Sequence, residues 1–327
     1  MKYFVPAALS VIIIAILCTT QFNTFKKKFL EVSEKMSNEG GDNIWDRKYY
    51  VKSIARLKQE QIDVVYFCDS TMFTNGDKSQ NTIAELLEKD HRLTVLTLAS
   101  PGFSPAVYKD YIKLLDRTDK TSVVVICINM RSFSRKWAKD YSYKELSSFI
   151  GFHNWKPTFH DWTLFAMSKY KDLFEFYINE IHIDAFETDK VNSYFPDEST
   201  SAGKESLCDQ YLNSYHNNIT SAHPVMESIR SVADFARIHR IKVLFYITPL
   251  NIGNISEECA PQGLEAINKS IAQVTSLLGT LTGERTKALD LSHALDASHF
   301  PEPAYPNEHL NQEGRATVAN AIAGALP

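Results

Sequence analysis

Four residues of the types needed for nucleophilic acyl transfer occur in order along this 327-residue chain. Ser70 follows the strand-forming residues of VVYFCDSTMFTN (64–75). Gly102 lies in ASPGFS, Asn129 in INMRSFS, and His309 in NEHLNQEG. A serine hydroxyl is a weak nucleophile until a neighbouring base takes its proton, and neutral histidine is the usual base near pH 7. Attack on an ester carbonyl creates an oxyanion that needs donors already in place. The Ser70 and Gly102 backbone N–H groups and the Asn129 side-chain amide offer three. Each residue also has a plainer reading. Asp-Ser pairs close turns, Gly102 after Pro101 is a turn glycine, Asn129 ends a strand, and His309 flanks a helix or lies on the surface. Their order and placement carry the stronger reading.

The elements that must position them alternate. DVVYF (63–67), RLTVLTLA (92–99), SVVVICI (122–128), IKVLFYI (241–247) and KALDLS (287–292) read as strands. Segments 82–90, 106–117, 224–240, 263–279 and 311–326 read as helices between and after them. Nearly continuous apolar strands, Val- and Ile-rich in 122–128, fit parallel strands covered on both faces. Strand–helix repetition predicts a doubly wound α/β sheet with right-handed crossovers. In such sheets functional groups collect beyond the carboxyl ends of the strands. Ser70, Gly102 and Asn129 each fall just past such an end, and His309 precedes the final helix.

Around this core the sequence predicts further parts. Residues 1–22 read as a membrane anchor or uncleaved signal, 23–60 as a stalk and first helix, and 61–327 as the α/β domain. An aromatic-rich helical insertion spans about 133–220. The apolar run Tyr3–Cys18 is short for a span of about 20 residues, with Thr19–Phe22 available to complete it. No small-residue cleavage site follows it. Lys26–Lys28 beyond it favour the opposite orientation by the positive-inside rule. A net charge of −4 gives no footprint for nucleic-acid binding, and the ten histidines and five cysteines show no metal-ligand spacing. Neither a metal nor any other cofactor is expected. Cys68 and Cys127 fall in apolar runs as small core residues. Cys208 and Cys259 fall in polar, loop-like stretches and are candidates for a disulfide, which suits an oxidising compartment.

Taken together, FCDSTM, ASPGFS, INMRSFS and NEHLNQEG resemble, in order, the blocks of SGNH (GDSL-type) hydrolases. ITPLN after a late strand is similar too. The resemblance spans residues 62–326 and implies a flavodoxin-like sheet, Ser70 as nucleophile, His309 as base, an oxyanion hole from Ser70, Gly102 and Asn129, and ester chemistry without a metal. Two positions depart from the pattern. Cys68 replaces the first glycine of the serine block. Pro306 stands three residues before His309, where the family has its aspartate. Asn307 and Glu308 lie near His309 but out of register, with Asp296 and Glu302 farther upstream; Asp296, Asn307 and Glu308 are the candidates for the acid or for a group orienting His309.

The expected function is a membrane-anchored, extracytoplasmic serine esterase or O-acyltransferase. Its expected partners are an acyl-ester substrate, a cell-envelope glycan acceptor and a membrane acyl-donor protein. Two other readings stay open: a non-catalytic binding or assembly subunit of this fold, suggested by Pro306, and a cytoplasm-facing lipid or small-ester hydrolase, suggested by Lys26–Lys28.

Overall fold

The apolar runs become five parallel strands: β1 (Ile62–Cys68), β2 (Val95–Ala99), β3 (Thr121–Ile128), β4 (Lys242–Ile247) and β5 (Thr286–Asp290). They form one sheet in the order β2-β1-β3-β4-β5. This is the flavodoxin-like order, whose topological switch lies between β1 and β3. The expected doubly wound parallel sheet is therefore present. The computed structural model describes residues 59–74, 80–117, 121–138, 206–301 and 308–327, together with Ser53, Arg56, Leu57 and Pro306. The proposed anchor, most of the stalk and most of the insertion lie outside these residues. Among the described residues no helix is long and apolar enough to cross a membrane.

Successive side chains on a strand point to opposite faces. On one face Val64, Tyr66 and Cys68 of β1 lie with Val123, Val125 and Cys127 of β3 and Leu244 and Tyr246 of β4. This face packs against α1 (Ile83–His91) and α8 (Gln312–Ala325) through Leu86, Leu87, Val318 and Ile322. On the other face Phe67 stacks on Tyr108 of α2 (Pro105–Tyr111), with ring centroids 5.8 Å apart. Burying each large apolar side chain contributes about 1.5–3 kcal/mol relative to exposure. Residues Val123–Ile128 of β3 are all buried, which accounts for their unbroken apolar sequence.

Helix boundaries follow local chemistry. α1 starts at a capping box in which Thr82 and Glu85 satisfy each other's backbone donors. The helix expected over 106–117 is instead α2 followed by a 3₁₀ segment, Ile112–Arg117. A short turn, α3 (Arg135–Ala138), follows β3. Helices carry both cysteines that were expected in polar, loop-like stretches, the first of them inside the helical insertion expected over about 133–220. α4 (Leu207–Tyr215) is opened by a capping box between Ser206 and Asp209, and its buried Tyr211 and Tyr215 lie one turn apart. α6 (Ile252–Glu258) is opened by Asn251, whose side chain accepts from the Asn254 N–H. The low helix propensity of Gly253 and Asn254 hid α6, and tertiary contacts override it. Cys208 within α4 and Cys259 at the end of α6 form a disulfide, with Cα atoms 5.0 Å apart. α7 (Pro261–Gly279) follows directly.

α5 (Pro224–Ile238) begins at a fully buried histidine. His223 Nδ1 accepts from the Val225 N–H, which leaves Nε2–H to donate to the Phe133 carbonyl 3.1 Å away. Burial lowers the pKa of this ring to about 4, with the Phe133 hydrogen bond partly opposing. A depressed folded pKa gives a contribution that is complete above the unfolded value of 6.5 and lost as pH falls towards about 4. The linked loss approaches about 3 kcal/mol. Urea midpoints should therefore fall between pH 7 and pH 4.5, and His223→Asn should show a smaller acid loss than wild type.

Candidate active site

The carboxyl ends of the strands line up, with Cys68 beside Ala99, Cys127 beside Tyr246, and Ile247 beside Asp290. Ser70 opens a 3₁₀ turn, Ser70–Met72, just past β1, and is half-buried. Asp69 caps that turn by accepting from the Thr71 N–H at 2.9 Å. Past β2, the Phe103 N–H bonds back to the Ser100 carbonyl at 3.1 Å, and Gly102 has φ of 80°. This is a type II turn, in which Pro101 suits the second position and a glycine is favoured at the third. Asn129 directly follows β3 and is buried.

The Asn129 side chain is fixed by its neighbours. Its Oδ1 accepts from the Arg131 N–H at 2.9 Å, which orients the amide. Its Nδ2 donates to Asp69 Oδ2 at 2.8 Å and, more weakly, to Glu308 Oε2 at 3.4 Å. The group expected to face an oxyanion thus binds the carboxylates adjoining Ser70 and His309. Glu308 is only 3% exposed. Its Oε2 pairs with Arg131 Nη2 at 2.9 Å, and its Oε1 accepts from the Tyr215 hydroxyl at 2.5 Å. Arg131 also donates to the Pro306 carbonyl and lies 5.6 Å from the Trp137 ring centre.

Burial raises the pKa of Asp69, as does the Glu308 charge to a smaller degree, while its bonds to Thr71 and Asn129 oppose. Burial alone would lower the pKa of Arg131, but Glu308 and its other neighbours raise it overall, so the guanidinium stays charged. Burial, then Glu308, raises the pKa of the Tyr215 phenol well above its usual value, which keeps it a donor. The result is a fixed set of charges and donors beneath the rim.

His309 is half-buried between two buried residues, Glu308 and Leu310. Of the candidate acids, Glu308 belongs to this cluster. Asp296 instead caps the turn Ala297–His299 and bonds His299 Nδ1 at 2.9 Å. Asn307 and Glu302 lie outside the described residues. Arg315, 1% exposed, joins the loops from within α8. It donates to the carbonyls of Leu310, Asn81 at 2.8 Å and Phe73 at 3.5 Å, and to the Gln80 side chain.

Cys68, Asp69 and Cys127 bring their donor atoms within 4.8 Å of one another. Both Asp69 oxygens already accept hydrogen bonds, and burial raises the pKa of the Cys127 thiol well above its usual value. These contacts fit core packing of two small buried side chains.

The strand order and this rim cluster define a parallel α/β protein of flavodoxin-like topology with polar groups gathered at its switch point. No protein-family model matches the chain, and no curated protein matches it. Solved structures do resemble it. A protein assigned as a platelet activating factor from Streptococcus pneumonia has 9% identity, covers 86% of this chain and 92% of its own, and gives a TM-score of 0.42. A protein assigned as an acylhydrolase from Bacteroides fragilis has 14% identity, with 84% and 93% covered and a TM-score of 0.39. A family two carbohydrate esterase from Clostridium thermocellum has 9% identity, with 81% and 64% covered and a TM-score of 0.32.

Proposed function

We propose that this protein is a serine esterase or O-acyltransferase that works through an acyl-Ser70 intermediate. One observation carries the reading: the Asn129 amide binds the carboxylates of both Asp69 and Glu308, the residues adjoining Ser70 and His309. Two loops more than two hundred residues apart in sequence are thereby tied at the switch point, where ligands bind in sheets of this order.

In the proposed reaction His309 removes the Ser70 proton as Oγ attacks the ester carbonyl. The Ser70 and Gly102 N–H groups receive the oxyanion, with Asn129 joining them if its weaker bond to Glu308 is exchanged. The tetrahedral adduct collapses, the C–O bond to the leaving alcohol breaks, and His309 returns the proton to that oxygen. Water or a sugar hydroxyl then attacks acyl-Ser70, giving hydrolysis or transfer.

The finer reading is a membrane-anchored, extracytoplasmic enzyme acting on a cell-envelope glycan, supplied by a membrane acyl-donor protein. The apolar run Tyr3–Cys18 and the Cys208–Cys259 disulfide support it. Intact-protein mass spectrometry with a small activated ester, and labelling by a fluorophosphonate, test the mechanism. Both adducts should map to Ser70 and be absent from Ser70→Ala. An adduct that persists in that variant overturns the reading, and a wild type that forms none favours a non-catalytic binding subunit.

A further inference from the structure

Pro306 removes the aspartate that would orient His309, yet the segment around that histidine is held from several sides. Arg131 grips the Pro306 carbonyl and, through the same nitrogen, Glu308. Tyr215 secures the other oxygen of Glu308 from α4. Arg315 holds the Leu310 carbonyl on the far side of His309. A buried carboxylate with a cation, a phenol and an amide around it is costly unless every partner keeps its place. His309 is part of the backbone segment that these contacts hold.

Tyr215 is itself held firmly. It belongs to the same helix as Cys208, whose disulfide ties that helix to the end of α6. Tyr211, one turn earlier, accepts a hydrogen bond from the Asn254 amide within α6. The phenol therefore reaches Glu308 from a helix anchored twice.

We propose that Arg131, Tyr215 and Glu308 are positioning residues that set the direction of the His309 ring, in place of the acid that Pro306 displaces. This rests on the reading of His309 as the base for Ser70. The cluster acts through the backbone at Pro306 and at Glu308–Leu310 and through its fixed charges, without touching substrate.

The test uses full-length protein labelled with ¹⁵N-histidine, in which His309→Gln identifies the His309 ring signals. Tyr215→Phe removes one oxygen and should shift or broaden those signals, leaving the signals of exposed His239 in place. In parallel it should lower kcat for p-nitrophenyl acetate by roughly ten- to a hundredfold with KM little changed. That loss should vanish in a His309→Ala background, because a group acting through His309 has nothing left to position. Should Tyr215→Phe fail to fold, Arg131→Gln, which removes the charge paired with Glu308, is read in the same way. His309 signals that stay put in a folded variant overturn the proposal whether or not the wild type turns over ester. A loss of turnover equal in both backgrounds overturns it as well. Signals that move while the wild type forms no acyl-Ser70 uphold the positioning role and defeat the esterase reading.

Discussion

Ser70→Ala should lower ester turnover by roughly 10⁴-fold or more in kcat, with a folded protein of nearly unchanged melting temperature. Among the described residues the Ser70 hydroxyl makes no hydrogen bond on which the fold depends. The turn it opens is held by the Asp69 side chain on the Thr71 N–H and by the Ser70 carbonyl on the Phe73 N–H, and an alanine keeps both. The expected loss is therefore chemical. His309→Ala should fall comparably, and the double variant should be little worse than either, because a nucleophile without its base and a base without its nucleophile fail at the same step. Initial rates on p-nitrophenyl acetate, with circular dichroism on each variant, check this. Two losses that multiply in the double variant would mean that Ser70 and His309 act at separate steps, and the acyl-serine mechanism would fail.

The strands were legible because a buried stretch of parallel strand has to be apolar on both faces, and β1 from Val64, β3 from Val123 and β4 from Val243 onward are. Once the strands were set, the positions of Ser70, Gly102 and Asn129 followed from topology, since each sits within a few residues of a strand end. The bounds of α4 within the expected helical insertion, and α6 altogether, were not legible. Their caps are polar, their buried faces are short, and α4 lies at the tail of a segment rich in aromatic residues. The disulfide that joins them depends on helix packing that no local pattern records.

The supporting cluster was hidden for a different reason. Arg131 stands inside the same INMRSFS stretch that supplied Asn129, but its partners are Pro306 and Glu308, more than 170 residues away. Tyr215 was one aromatic residue among many. Glu308 was a candidate acid by proximity alone, and the structure shows it as a buried carboxylate held by three groups. One signal was present and readable. Arg315 lies on the same stripe of the last helix as Val318, Ala319 and Ile322, so a permanent charge occupies an apolar face. A charge there needs a set of buried acceptors, and the carbonyls it binds are those of the site loops.

That placement makes Arg315→Met the substitution with the largest expected effect on stability. Methionine fills much of the volume and removes the charge, so the cost arises from acceptors left behind. The carbonyls of Leu310, Asn81 and Phe73 would lose a donor. The Leu310 bond is buried and those to Asn81 and Phe73 partly so, and at about 1–3 kcal/mol for a buried acceptor left unpaired the loss is about 2–3 kcal/mol. For a domain of this size that lowers the melting temperature by roughly 5 °C. Arg315→Lys keeps a donor for one or two of these carbonyls and should lose less, because an ammonium cannot span acceptors arranged for a planar fork. The damage should also reach the chemistry. Phe73 closes the turn that carries Ser70, and Leu310 follows His309, so slack in either loop separates nucleophile from base. Fluorophosphonate labelling of Ser70, measured well below the lowered melting temperature, should be slower in Arg315→Met than in wild type. A folded variant that labels at the wild-type rate would show that Arg315 holds the core together without aligning the two loops.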